Sequence, residues 1–257
     1  VLTVERQEKI ISLFSEKTFC HLKELAEQFN VSISTARRDL DCLEERGIVK
    51  RTHGGAMFLG DREALPRFGD RQTRMAKEKA AIGACAAELV EDGETIIIDG
   101  GTTPYQVAAH LRDSGKTIQV VTISLHVANL FADANNVQLI GTGGLFFPAS
   151  GIYLGTYAEN MLKAIRVQKA FVGVAGITAE GFYNSNPLVV ETERCMLKAA
   201  AEVYVVADHT KFGRNALAYL CDFSMITAVI TDSAGAIDSR AQTSLAGKNL
   251  NVISAMK

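Results

Sequence analysis

Apolar residues recur at helical spacing in three short stretches near the start of the chain. Ile10, Ile11 and Phe14 share a face within residues 4–16, and Leu22, Leu25, Ala26 and Phe29 share one within 22–29. Ala36, Leu40 and Leu43 form the stripe of a third helix that follows Ser32. The Ser32 hydroxyl suits an N-cap, accepting from the backbone N–H of Ser34 or Thr35. Residues 18–21 are a break with β character, and Gly47 suits a helix C-terminus. Residues 48–51 are β-prone and basic, and Gly54 and Gly55 turn the chain back into Ala56, Met57 and Phe58. This order predicts a winged helix-turn-helix domain over residues 1–58.

Residues 59–75 have little periodicity, two glycines and one proline, and read as a linker. A helix is expected from about Ala76, with Ile82, Ala86, Leu89 and Val90 apolar, ending at Asp92 and Gly93. From Glu94 onward, continuous Val/Ile strands alternate with amphipathic helices: strands at 95–98, 117–122, 137–140, 169–174, 203–207, 225–231 and 251–254, and helices at 104–111, 125–132, 156–165 and 190–201. That alternation predicts an α/β fold class, with a mostly parallel sheet covered on both faces across residues 76–257.

The length of 257 residues accommodates one small and one large domain. Hydrophobic content of 47% and charged content of 22% are those of a soluble globular protein, and no apolar run reaches a membrane span's length. No signal peptide opens the chain. Five scattered cysteines, with no CxxC pair, read as buried apolar residues of a reducing cytoplasm, and no Cys/His cluster has metal-ligand spacing. No cofactor or metal is expected. Net charge is −2, and residues 1–58 hold nine Lys or Arg against nine Asp or Glu. Any DNA contact therefore comes from a local patch and not from bulk attraction.

The third helix supplies such a patch. Ser32, Ser34, Thr35, Arg37 and Arg38 fall largely off its apolar stripe. Arginine bonds guanine edges in bidentate fashion, and hydroxyls or the helix N-terminus hold phosphates. Arg51 and His53 on the wing are placed to reach a phosphate or the neighbouring minor groove. An RRD triplet alone is more often a solvated helix face; the preceding helix and following hairpin favour DNA.

A second site is expected where parallel strands end. Four polar, small-residue clusters follow strands: DGGTT (99–103), TIS (122–124), GTGG (141–144) and ADHTKFG (207–213). In the first, Gly100 and Gly101 let backbone approach an anion, the next helix offers its N-terminus, and Thr102 and Thr103 add hydroxyls. Thr122, Ser124, Gly143 and Gly144 line neighbouring loops. Lys211 supplies positive charge, and Asp99, Glu191 and Asp208 suit sugar hydroxyls. Taken singly, each has a bland alternative as a turn, a cap or a solvated first turn. The loops have neither the GxxxxGK[ST] nor the GxGxxG spacing of nucleotide sites.

From Arg6 through VSISTARRDLDCLEERGIVKRTHGGA, the chain resembles the DeoR family of bacterial transcriptional regulators. The DGGTT loop, Gly143 and Gly144, FVGVAGI (171–177), the Glu191–Met196 stretch and DHTKFG resemble that family's effector domain in order. The resemblance implies a ribose-phosphate isomerase and CoA-transferase-like fold for the larger domain. It also implies a cytoplasmic repressor of a sugar or polyol catabolic operon that binds operator DNA, responds to a phosphorylated sugar or polyol effector, and forms homodimers or homotetramers. Three positions depart from the family pattern: Ala36 replaces Val or Ile, Ile123 replaces Asn, and Pro104 replaces Thr. The Ile123 change bears on effector choice. Two alternatives stay open: a sugar-phosphate isomerase using Asp99, Glu191 or Asp208 as base, and a transcriptional activator.

Overall fold

A computed structural model describes residues 3–16, 19–45, 48–52, 54–58, 68–236 and 250–256. The chain divides into two compact units, Val1–Leu65 and Pro66–Lys257.

In the first unit, α1 (Thr3–Glu16), β1 (Phe19–His21), α2 (Leu22–Gln28) and α3 (Ile33–Glu45) are followed by the wing strands β2 (Val49–Thr52) and β3 (Gly55–Phe58). The wing is antiparallel, and β3 pairs on its other side with β1. Ile10, Phe14, Leu25, Ala36, Leu40, Leu43 and Val49 converge on one core. Ala36 is fully buried there, so the small side chain sits within the packing. Asp39 also lies on the buried stripe. It takes a bidentate pair from Arg6 of α1, with Nε at 2.6 Å and Nη2 at 3.1 Å, and Gln7 Nε2 approaches at 3.4 Å.

The second unit opens with a helix where linker was expected. Of residues 59–75, 59–67 lie outside the described residues, but α4 (Phe68–Gln72) is helical. Buried Phe68 stacks on His126 at 3.9 Å and meets Tyr105 edge-on at 5.4 Å, while its N–H donates to Ala149 O at 3.0 Å. A single aromatic anchor holds this helix, which is why periodicity does not reveal it.

After α5 (Ala76–Glu88) come β4 (Thr95–Ile98), α6 (Thr102–Asp113), β5 (Ile118–Thr122), α7 (Leu125–Leu130) and β6 (Val137–Gly141). The chain then forms the hairpin β7 (Leu145–Phe147) and β8 (Ile152–Leu154), followed by α8 (Thr156–Lys163) and β9 (Val167–Val172). Next are β10 (Gly176–Thr178), β11 (Gly181–Asn184), α9 (Pro187–Ala199), β12 (Ala200–Val206), β13 (Ala218–Cys221), β14 (Ala228–Thr231) and β15 (Val252–Ser254).

Seven strands form one parallel sheet in the order β15-β14-β12-β9-β4-β5-β6. Alternate residues face opposite layers. Ile96, Ile98, Val120, Phe171, Val206 and Ile230 pack under α5, α6 and α7, and α8 and α9 pack on each other, with α9 against β9 and β12. At Gly83 a Cβ would come within 2.6 Å of the Gln106 backbone, so α5 and α6 touch closely. A separate antiparallel sheet, β10-β11-β13, was not expected; its strands are only three or four residues long.

Candidate functional site

The sheet order reverses between β4 and β9. From β4 the chain proceeds to β5 and β6 on one side, and from β9 to β12, β14 and β15 on the other. In open parallel sheets the crevice at the strand ends beside such a reversal takes ligands. Here Asp99, just past β4, reaches across it. Its Oδ2 accepts from Gly101 N at 3.3 Å and from Gly173 N, just past β9, at 3.1 Å. A Cβ at Gly101 or Gly173 would lie 3.4 Å from this oxygen and 3.0 to 3.3 Å from Pro104 Cδ. Asp99, expected to read sugar hydroxyls, is thus committed to backbone amides and staples the loop to the next strand. Burial raises its pKa, against those amides and Arg71.

The other expected residues fall as follows. Gly101 is the N-cap of α6 and has no capping side chain, so buried Thr102 and Thr103 present first-turn amides beside the crevice. Gly100 is pressed against Ile152, with Ile123 fully buried alongside. Thr122 Oγ1 donates to Ile98 O at 2.7 Å and accepts from Ser124 N at 3.0 Å; Ser124 caps α7 through Val127 N. Their hydroxyls therefore shape the loop. Gly143 and Gly144 have φ of +65° and +123°, and they turn β6 into the hairpin. Asp208, at the end of β12, caps the turn His209–Lys211, with Oδ1 accepting from Thr210 N and Oγ1.

Glu191 does not belong to this group. Its side chain is 60% exposed and pairs with Arg194 at 2.6 Å. Two residues on, about 200° around the helix, Glu193 is fully buried. Its Oε1 accepts from Asn184 Nδ2 at 2.6 Å. Burial, with Asp99 adding repulsion, holds the Glu193 carboxyl well above the usual carboxylate range.

Cations missed from the sequence complete the cluster. Arg71 of α4 interacts with Asp99 and Glu193. Lys79 is buried, donates to Arg71 O at 2.6 Å, and feels Asp208, Lys211, Arg71 and Arg74. Burial pushes Lys79 down to about 8 and lowers Lys211, which also lies near Arg214. Arg71, Lys79, Lys211, Arg74 and Arg214 thus act electrostatically on one another or on the Asp99, Glu193 and Asp208 carboxyls. Among the described residues, four buried side-chain atoms have no hydrogen-bond partner: Arg51 Nε, Arg71 Nε, Glu193 Oε2 and Asp208 Oδ2. Three belong to this cluster. Unmet groups of this kind cost about 1–3 kcal/mol each.

In the first unit, Ser32 Oγ accepts from Thr35 N at 3.1 Å and lies 2.8 Å from Ser34 Oγ and 2.9 Å from Thr35 Oγ1. Arg37 and Arg38 are exposed, as a groove-reading surface requires. Arg51 pairs with Asp41 of α3, and its N–H donates to Glu44 Oε1 at 2.8 Å, so the wing is tied to that helix. His53 lies outside the described residues.

A helix-turn-helix with exposed arginines, joined in one chain to a cationic strand-end site, defines a ligand-responsive DNA-binding regulator. Residues 6–61 match the DeoR-like helix-turn-helix domain, and residues 74–233 match the DeoR C terminal sensor domain. The chain belongs to the DeoR family of transcriptional regulators. It is 35% identical to the HTH-type transcriptional regulator GolR of Listeria innocua over 89% of this chain and 90% of that one. It is 33% identical to the Glycerol-3-phosphate regulon repressor of Escherichia coli, with the same coverage. Among solved structures, ribose 5-phosphate isomerase A of Methanocaldococcus jannaschii matches at 17% identity and a TM-score of 0.37, covering 53% of this chain and 54% of that one.

Proposed function

We propose that this protein is a cytoplasmic repressor of a sugar or polyol catabolic operon, controlled by a phosphorylated sugar or polyol. The observation that carries the reading is the set of unmet polar atoms at Arg71, Glu193 and Asp208, with Lys79 and Lys211 in electrostatic reach of Asp208. Relatives named as repressors support the sign of regulation. Exposed Arg37 and Arg38 would read operator bases in the major groove, and a two-fold oligomer would place two such helices about 34 Å apart, or a multiple of that.

The α/β unit acts as a sensor and not as an enzyme. Isomerisation needs a base matched to an α-carbon proton. Asp99 Oδ2 accepts from two backbone amides, burial disfavours the ionised form of Glu193, and one oxygen of Asp208 caps a turn. Coupling runs through α4, the first described element after the connection between the units. An effector that engages Arg71 and Lys79 favours one placement of α4 over another, and only such differential affinity shifts the DNA-binding state.

The test is a gel shift on DNA flanking the protein's own gene, with and without a panel of sugar and polyol phosphates. A retarded band that one phosphorylated compound releases, with no turnover of that compound, is expected. Turnover would favour the isomerase reading, and a reporter that falls when the gene is deleted would favour an activator.

A further inference from the structure

We infer that Glu193 reads the sugar end of the effector, so that the site takes a neutral polyhydroxy phosphate and rejects a phosphorylated sugar acid of the same chain length. This rests on the phosphate-sensor reading above. Glu193 sits on the apolar stripe of α9, between Val189 and Met196, where a solvated carboxyl has no place. One oxygen is fixed by Asn184, and the other is buried without a partner. A residue kept only for packing would be apolar there, since an unmet buried carboxyl costs more than it returns.

Charge gives the site two ends. Lys79 and Lys211 both feel Asp208, whereas Glu193 feels Asp99, and Arg71 acts on both groups. A phosphate belongs at the lysine end. A second anionic group on the ligand beside Glu193 would meet two carboxyls, Glu193 and Asp99. A hydroxyl fits in either protonation state, donating to an ionised Glu193 or accepting from a neutral one. Sites built around a buried polar group discriminate strongly against ligands that leave it unpaired.

The experiment is isothermal titration of the full chain with two matched pairs, glycerol 3-phosphate against 3-phosphoglycerate and sorbitol 6-phosphate against 6-phosphogluconate, with inorganic phosphate as reference. In at least one pair the polyol ester binds roughly tenfold or more tighter than the acid and than phosphate. Glu193→Leu abolishes that preference, whereas Glu193→Gln, which still accepts from Asn184 and offers a donor, keeps most of it. If Glu193→Leu does not fold, the wild-type chain decides: the deoxy analogue of the bound polyol ester should lose roughly tenfold. An acid bound as tightly as its polyol partner, a preference that survives Glu193→Leu, or a deoxy analogue of equal affinity overturns the assignment of Glu193 alone. No response to any phosphorylated probe overturns the sensor reading with it.

Discussion

Replacing Asp39 with alanine should strongly destabilise the winged helix without touching the exposed Arg37 and Arg38. Asp39 and Arg6 are 2% and 8% exposed, and the guanidinium meets both carboxylate oxygens, at 2.6 and 3.1 Å. Removing one partner of such a buried pair costs about 3–5 kcal/mol, because the buried guanidinium loses both of these charge-assisted hydrogen bonds. A unit the size of Val1–Leu65 has a total stability of only about 3–10 kcal/mol, so the variant should lose about a third or more of it and its N-terminal unit should melt well below that of wild type. Asp39→Asn keeps a hydrogen bond and should lose less, about 1–3 kcal/mol. Arg6→Met combined with Asp39→Leu should recover most of the loss, since an apolar pair of similar volume often matches a buried ion pair. Urea unfolding followed by circular dichroism separates the N-terminal transition from that of the sensor unit, and effector binding by the sensor reports that it is intact. If Asp39→Ala melts like wild type yet fails in a gel shift, the carboxylate acts at the DNA surface and the packing argument is wrong.

Arg37→Ala and Arg38→Ala, both at exposed positions, should each weaken operator binding by about tenfold or more with unchanged unfolding curves; wild-type gel shifts for both would remove them from the interface. Lys79, held down to about 8, should make anion affinity depend on pH. A bound anion retains the Lys79 proton, so affinity is full below about pH 8 and falls above it by at most about tenfold per pH unit, and Lys79→Met flattens the profile in thermal-shift titrations. The stability of the unliganded fold moves the other way. The lowered pKa disfavours the charged lysine, so this term improves as pH rises from about 8 towards the unfolded value of about 10.4. Phe68→Ala removes the stack on His126 and the edge contact with Tyr105. It should free α4 locally at a cost of about 3 kcal/mol, seen as faster amide exchange at residues 68–72 and weaker effector binding; unchanged exchange there would show that another contact holds the helix.

Periodicity revealed most of the architecture. The three N-terminal helices, the wing, and the alternation that builds the parallel sheet all follow from where apolar residues recur, because a 3.6-residue or continuous pattern can be buried in only a few ways. The strand-end loops were legible for the same reason. The charged residues that matter most also left a mark. Asp39, Lys79 and Glu193 each sit on the apolar stripe of its helix, at the spacing of Ala36 and Leu43, of Ile82 and Ala86, and of Val189 and Met196. A charge at such a position must be compensated inside the fold, and this separates Glu193 from its exposed neighbour Glu191.

The identity of each compensating partner was decided by tertiary structure alone. Arg6 is 33 residues from Asp39, and Arg71 comes within electrostatic reach of Asp99 and Glu193 because Phe68 docks α4 on His126 and Tyr105. In the sheet β10-β11-β13, β11 pairs with β13 across more than thirty residues. Local patterns record which side of an element is buried. Which distant element arrives to meet it depends on chain crossings and packing, which no short window of sequence contains.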